Sequence, residues 1–538
     1  MAIVVSVVVL PFVVSLLLQI PSVQNWAVQK VVRMASRKLE TTVAVRRVDI
    51  GMLGKARIDG FYVEDYQRDT LLYVDRLDAY ITGLGIWGGG VTLSRAEIAG
   101  AKLFLRETPE GEMNIRQVVG RLSDPDRPKK GNFRLRLEKA VIEGMELCLE
   151  RRVHRDPPHG IDFGHMHLSD MTLRADDFTI DGQTIYTTIE TLSARERSGF
   201  ELDRFSGRFY LVNGCMGFEE ATLLTARSHV KIPYLSLVGN SWADYKDFVR
   251  EVQIDGALRN SSLSTDDIAY FSPGLRDWHT LFGGIDVDFN GTVADFETRV
   301  RSLRVGEDTF LAATAKIEGL PDVRQTLFDL DVSRLVASAD DLKRLSRDIA
   351  RKELPENLVA MLGRAGTLGV RARFRGRLSS FKLKAAVNSE VGDVDVDLAM
   401  QPLPKGRRSL RGALAARGFR LGRLLGQSRL LGNATLTASI DGSVGRGTTD
   451  AKVEGNISQL EFKGYTYDSL RLDGRLQNRG FDGVVTARDP ALNFDFAGRV
   501  DLNDAIPRYD FTLDLRRADL AAMHINPRDS VSVLAAHV

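Results

Sequence analysis

From residue 41 onward the chain alternates apolar and polar side chains with a period of two, and that restricts what it can fold into. Gly392–Leu398 reads GDVDVDL, so Val394, Val396 and Leu398 point one way from an extended backbone while Asp393, Asp395 and Asp397 point the other. The pattern recurs at Ile285, Val287 and Phe289, at Phe328, Leu330 and Val332, at Leu492, Phe494 and Phe496, and at Phe511, Leu513 and Leu515. A helix would scatter these side chains around its circumference, whereas a strand gathers them on one face. The intervening carboxylates recur wherever the strands do. They read as a solvated outer face, not as a calcium or catalytic site.

Punctuation supports a repeated β architecture. Gly-x-(Leu/Val/Ile) recurs at Gly256, Gly291, Gly376, Gly412, Gly442, Gly455, Gly474 and Gly498, and reads as a strand opening behind a tight turn or bulge. Short Leu-rich helical turns recur at Ser264–Phe271, Ala339–Leu345, Phe419–Leu425 and Ala518–Met523. Each interval suggests a module of several antiparallel strands with a brief helical insert. Longer helices are expected only at Asn114–Leu122, Asp340–Leu354 (stopped by Pro355) and Glu356–Leu362. Ser123–Asn132, Arg152–Gly160 and Gln401–Ser409 read as loops, the first as a module boundary. The expected fold is mainly β: an elongated, curved antiparallel sheet of repeated modules and roughly 30 strands at ordinary strand spacing.

Such a sheet must cover its apolar face with a second sheet, by curling, or with an apolar ligand. The few helices do not suffice. Acyl chains need only a dry apolar wall, and each CH₂ removed from water is worth about 0.8 kcal/mol. A sandwich core would show the same alternation, so the pattern alone leaves the choice open.

The first twenty residues, MAIVVSVVVLPFVVSLLLQI, hold thirteen Val, Ile, Leu or Phe among residues 1–18, and no charge precedes Lys30. Twenty helical residues span about 30 Å, the hydrocarbon thickness of a bilayer. Residues 1–20 are therefore read as an uncleaved, single-pass transmembrane anchor. Residues 21–40 are read as an amphipathic juxtamembrane helix with Trp26 at the membrane interface. Lys30, Arg33, Arg37 and Lys38 follow the span, which by charge alone would hold the next domain in the cytoplasm unless a basic leader precedes Met1.

Chemistry is sparse. Lys plus Arg is 73 and Asp plus Glu 71, so the net charge of +2 gives no basic excess for nucleic acid. Two cysteines, Cys148 and Cys215, exclude a disulfide scaffold and a four-cysteine zinc site, and nothing in the spacing supports a bridge between them. His154, His159, His165 and His167 cluster near Cys148, and His165 and His167 would share one strand face, an arrangement zinc could use; they read instead as an exposed loop and strand edge, and no metal is assigned. Gly442–Gly447 (GSVGRG) is no nucleotide fingerprint, and neither G-x-S-x-G nor H-E-x-x-H occurs. Trp87 reads as local packing between strands. No enzyme activity and no cofactor are expected.

Several segments, in order, resemble a known family. After the apolar span and amphipathic helix come Val48–Asp49–Ile50, Ile58–Asp59–Gly60–Phe61–Tyr62–Val63, Asp69–Thr70–Leu71–Leu72–Tyr73–Val74 with Leu77, Gly100–Ala101–Lys102–Leu103 and Asn114–Ile115. Leu421–Gly422–Arg423–Leu424–Leu425–Gly426 and Ala487–Arg488–Asp489–Pro490–Ala491–Leu492–Asn493–Phe494 follow. Together they resemble TamB-type proteins of the AsmA-like group of Gram-negative envelope proteins. The resemblance implies an inner-membrane anchor and a periplasmic β-taco with an apolar groove. It also implies a role in phospholipid transport towards the outer membrane, or in outer-membrane protein assembly with a TamA-like barrel by strand addition. It divides the chain into the anchor (1–20), the juxtamembrane helix (21–40), an N-terminal AsmA-like module (41–122) and repeated groove modules (133–538). Because TamB-type chains are longer, it makes this one an N-terminal portion or a shortened member. The fifteen apolar residues named above, picked out by their alternation, are the candidates for lining that groove; a plain spacer with a closed sandwich core is the remaining reading.

Overall fold

A computed structural model describes residues 21–538 apart from 52–53, 85–89, 121–133, 153–158, 307, 351–352, 446–447, 504–505, 527 and 529–530. The expected anchor (1–20), Trp87, His154 and the whole of the 123–132 loop lie outside the described residues. Among those described, no helix is long and apolar enough to cross a membrane. The chain forms two compact units, Met1–Leu281 and Phe282–Val538.

The first unit begins with α1 (Pro21–Leu39) and carries β1 (Val43–Ile50), β2 (Lys55–Glu64), β3 (Thr70–Leu84) and β4 (Gly90–Arg106). Then come α2 (Asn114–Gly120), β5 (Arg134–Glu150), β6 (His167–Asp181), β7 (Thr184–Glu196), β8 (Glu201–Val212), β9 (Cys215–Leu224) and β10 (His229–Val238). The single-turn α3 (Phe248–Glu251), β11 (Gln253–Ser264) and α4 (Thr265–Ile268) complete it. Consecutive strands pair antiparallel with one exception: β4 and β5 are parallel, Gly90 facing Arg134 and Arg106 facing Glu150. The purely antiparallel expectation is corrected here. A hairpin cannot join parallel strands, and the connection that follows β4 includes α2. The unit's buried cluster, Leu39, Val43, Val63, Leu71 and Val118, lies where the end of α1 and the inner side of α2 meet β1–β3.

The second unit contains β12 (Leu281–Gly291), β13 (Asp295–Val305), β14 (Thr309–Glu318), β15 (Leu327–Ala337), α5 (Ala339–Ala350) and α6 (Glu356–Ala365). It continues with β16 (Leu368–Arg377), β17 (Ser380–Ser389), β18 (Gly392–Pro402), β19 (Arg408–Arg420), α7 (Leu421–Leu425), β20 (Leu431–Gly445) and β21 (Thr448–Phe462). It ends with β22 (Tyr465–Tyr467), β23 (Leu470–Gln477), β24 (Gly480–Arg488), β25 (Leu492–Asp501), β26 (Arg508–Asp519) and β27 (Val533–His537). Neighbours pair antiparallel in sequence order, with both β22 and β23 on β21, in an open, curved sheet.

One rim of this sheet carries α5, α6, α7 and the turn after Asp519. The other carries hairpin turns. The expected Leu-rich inserts are therefore real helical turns, and the buried cluster of Tyr467, Ala491, Ala518 and Met523 sits at that helical rim. The recurring glycines do not open strands, as expected from sequence, but lie largely inside them. A Cβ at Gly442 would stand 2.3 Å from Ala451 Cα, and one at Gly498 2.3 Å from Phe511 Cα. These positions let adjacent backbones close up where strands bend.

The Ala487–Phe494 segment turns the chain from β24 into β25. Asp489, 4% exposed, accepts from Tyr465 Oη (2.7 Å), Asp468 N (3.0 Å), Ala491 N (2.8 Å) and Leu492 N (3.2 Å), shaping the turn between β24 and β25. Burial, with the Asp489 carboxylate close by, pushes the Tyr465 phenol up to about 12.

Candidate functional site: the apolar face of the second unit

Strand alternation decides which face each side chain takes, and register decides what it stands beside. Val332, Ala372, Ala385, Val396, Leu414, Ala438, Gly455 and Leu472 are successive cross-strand partners from β15 to β23. The row continues through Val485, Phe496 and Leu513 to β26. In the other direction it runs through Ala313 and Val300 to Val287 on β12. Five of the fifteen sequence candidates, Val287, Val332, Val396, Phe496 and Leu513, thus stand in one row.

A second row holds Phe289, Leu330, Leu398 and Phe511, with Phe374, Leu383 and Ile440 among its members. Val394, Phe494 and Leu515 belong to a third row, towards the helical rim, with Val370, Val387, Leu436, Ile457 and Leu470. Phe328 starts a fourth row, towards the hairpin rim, with Phe381, Met400 and Leu410. Ile285 and Leu492 lie past irregularities in pairing near the helical rim; Ile285 is buried, and Leu492 packs against the rim cluster.

Arg371, Arg373 and Arg375 alternate with Val370, Ala372 and Phe374. The sequence candidates nonetheless include no residue of β16 or β17. Small members such as Ala385, Ala438 and Gly455 carry little hydropathy signal. Only register reveals them as part of the face.

The face is lined but not covered. Thirteen of the fifteen candidates are half-buried, Ile285 alone is buried, and Phe511 is 37% exposed. Leu414, in the middle of the longest row, is 38% exposed. A second sheet packed over these residues would bury them as a sandwich core does, so the face is not closed in that way. Aromatic pairs stiffen it: the rings of Phe374 and Phe381 stack with centroids 5.0 Å apart, and those of Phe496 and Phe511 tilt at 5.2 Å.

The opposite face is charged and laced with cross-strand ion pairs, including Arg375–Asp329 (2.9 Å), Lys384–Asp397 (3.2 Å) and Arg411–Asp441 (2.9 Å). Such exposed pairs contribute little individually; together they keep this side wet. A depression of about 950 Å³ lies here, over Ala386, Ala413, Ala415 and Ser439 and between Arg373, Lys384, Asp395 and Asp397. Val396 and Leu414 border it, but Phe374, Leu383 and Leu398 do not, which places it on the charged side. This depression and the apolar surface therefore lie on different faces of the sheet.

At the N-terminus of the described chain, α1 leaves Trp26, Val31 and Met34 about 60% exposed, with Lys30 Nζ 5.1 Å from the Trp26 ring centroid. The two cysteines are free thiols. His165 pairs with Asp162 at 2.8 Å, whereas His167 turns to Glu146 at 2.8 Å. The histidines grouped by sequence therefore do not converge on one point.

Comparison with known proteins adds no relative: no family model, no curated protein and no solved structure matches this chain.

Proposed function

We propose that this protein is a non-enzymatic lipid conduit: phospholipid acyl chains lie on the apolar face of β12–β26, and the chain, anchored in an inner membrane, carries them through the periplasm towards an outer membrane. The observation that supports this most is the unbroken row from Val287 to Leu513, with its centre left open to solvent. The dimensions suit the cargo. Four rows, each two residues from the next, give an apolar width of about 20 Å at ~3.4 Å per residue. A leaflet's acyl region is about 15 Å thick, half of a bilayer's hydrocarbon core. Fourteen strands side by side make the face about 60 Å long at ~4.8 Å per strand. Each CH₂ gains about 0.8 kcal/mol wherever it meets apolar wall. A row of similar residues offers many positions of similar energy, so a lipid slides between them over low barriers. The family resemblance supports the same reading.

The test is site-specific photocrosslinking of the full chain in cells, comparing Leu414 with its neighbour Ala413 on the other face. Phospholipid adducts at Leu414, absent at Ala413 and lost in Val396→Asp with the circular dichroism unchanged, are expected. Equal labelling on both faces, or no lipid at Leu414, overturns the conduit. Protein adducts confined to strand edges would instead support assembly of outer-membrane proteins by strand addition with a TamA-like barrel.

A further inference from the structure

Glu146 and Cys148 are alternate residues of β5 and therefore share a face. His167, the first residue of β6, is the cross-strand partner of Cys148. The donor atoms of Glu146, Cys148 and His167 lie within 4.8 Å of one another. Glu146 Oε1 is 2.8 Å from His167 Nε2, and its other oxygen accepts from Lys102 Nζ at 2.9 Å. Lys102 comes from β4, whose parallel register sets it directly beside Glu146. Three neighbouring strands thus build the cluster, and all three donors are half-buried.

We propose that Glu146, Cys148 and His167 form a binding site for a divalent transition metal, with zinc the best match. One thiolate, one imidazole and one carboxylate form a borderline-soft donor set, and three protein ligands leave a fourth tetrahedral position for water. Nε2 of His167 and Oε1 of Glu146 already face each other, so an ion entering between them replaces one hydrogen bond with two metal bonds. Lys102 is a positioning residue: it holds the second carboxylate oxygen and leaves the first to the ion. The β5–β6 ladder shifts register between Ile142 and Met145 and again between Met145 and Leu147. An ion at Cys148–His167 clamps the two strands just beyond that irregular stretch. Metal binding there ties β5 to β6 and is independent of the lipid reading.

The experiment titrates Co²⁺ alone into the metal-free full chain and follows absorbance. A one-to-one endpoint with a thiolate-to-cobalt charge-transfer band and tetrahedral d–d bands, displaced by Zn²⁺, is expected. Cys148→Ser loses the charge-transfer band, and His167→Ala weakens binding at least tenfold. Lys102→Met retains the band with affinity lower by about 10-fold, as for outer-shell partners in general. Cys215→Ser leaves spectrum and affinity unchanged. Zn²⁺ raises the melting temperature of the wild type and not of Cys148→Ser. Circular dichroism of each metal-free variant distinguishes lost binding from lost folding. No band at excess Co²⁺, or a band that survives Cys148→Ser, overturns the site.

Discussion

The side-chain amide of Asn114, fully buried at the start of α2, donates to the carboxylate of Asp65 in the β2–β3 turn at 3.0 Å. The two are 49 positions apart. Asn114 also donates to the Phe104 carbonyl (3.1 Å) and accepts from Arg106 N (3.0 Å) and Ile115 N (2.8 Å). Asp65 accepts in turn from Gln67 N (3.0 Å) and Asp69 N (2.9 Å). One buried amide thus fastens the crossover that makes β4 and β5 parallel to the turn that starts β3. Asn114→Ala strands several of these groups at about 1–3 kcal/mol each. It should destabilise the first unit by roughly 3 kcal/mol, seen as an earlier thermal transition of the full chain. A transition within 1 °C of wild type would refute this role.

Acid should weaken both units through two buried carboxylates. A hydrogen bond from Arg57 (2.7 Å) holds Asp78 below its ordinary range against the opposing effect of burial. For Asp341, burial pushes upward, but hydrogen bonds from Thr309 and Arg344 together outweigh it and hold the group low. A folded pKa below the unfolded value means the stabilisation is complete above the unfolded carboxylate range and is lost as pH falls through it towards the folded value. The melting temperature should therefore drop between about pH 5 and pH 3. It should drop less steeply in Asp78→Asn, whose stability at pH 7 is already reduced by about 1–3 kcal/mol. Parallel pH profiles for the two proteins would rule the linkage out.

Two helical glycines should respond with opposite signs. A Cβ on Gly422, in α7, would stand 1.7 Å from the Leu431 carbonyl oxygen, so Gly422→Ala must push α7 off β20. It should cost about 3 kcal/mol. A Cβ on Gly363, in α6, meets nothing within 4 Å. Gly363→Ala should stabilise by about 0.5–1 kcal/mol by limiting the unfolded chain. Chemical denaturation of both variants checks the pair, and a loss in both would show that α6 is held by something other than its own backbone.

The apolar face should be sensitive by parity. Leu414→Asp and Ala413→Asp sit one residue apart on β19 and face opposite sides. Leu414→Asp should reduce phospholipid bound to the purified chain at least tenfold, since an unpaired carboxylate on a dry wall is costly. Ala413→Asp should leave it within twofold. Lipid quantified by mass spectrometry after purification decides between them, and equal retention in both would separate the face from lipid binding.

What the residues determine alone is local. In GDVDVDL, or in Arg371–Phe374, the side an amino acid faces follows from the pleat of its own backbone, so the apolar face was legible strand by strand. The helical turns at Ala339 and Leu421 were legible from their own short Leu-rich stretches. Partnership was not, because a period of two says which face a residue takes and nothing about which strand lies beside it. Only the tertiary structure decided that Val287 and Leu513 end one row, and that β5 runs parallel to β4. Only it turned His167 to Glu146 and Cys148 while His165 went to Asp162. Pairing across a sheet is settled by long-range register, bulges and buried anchors such as Asn114, and those contacts exist only once the chain has folded.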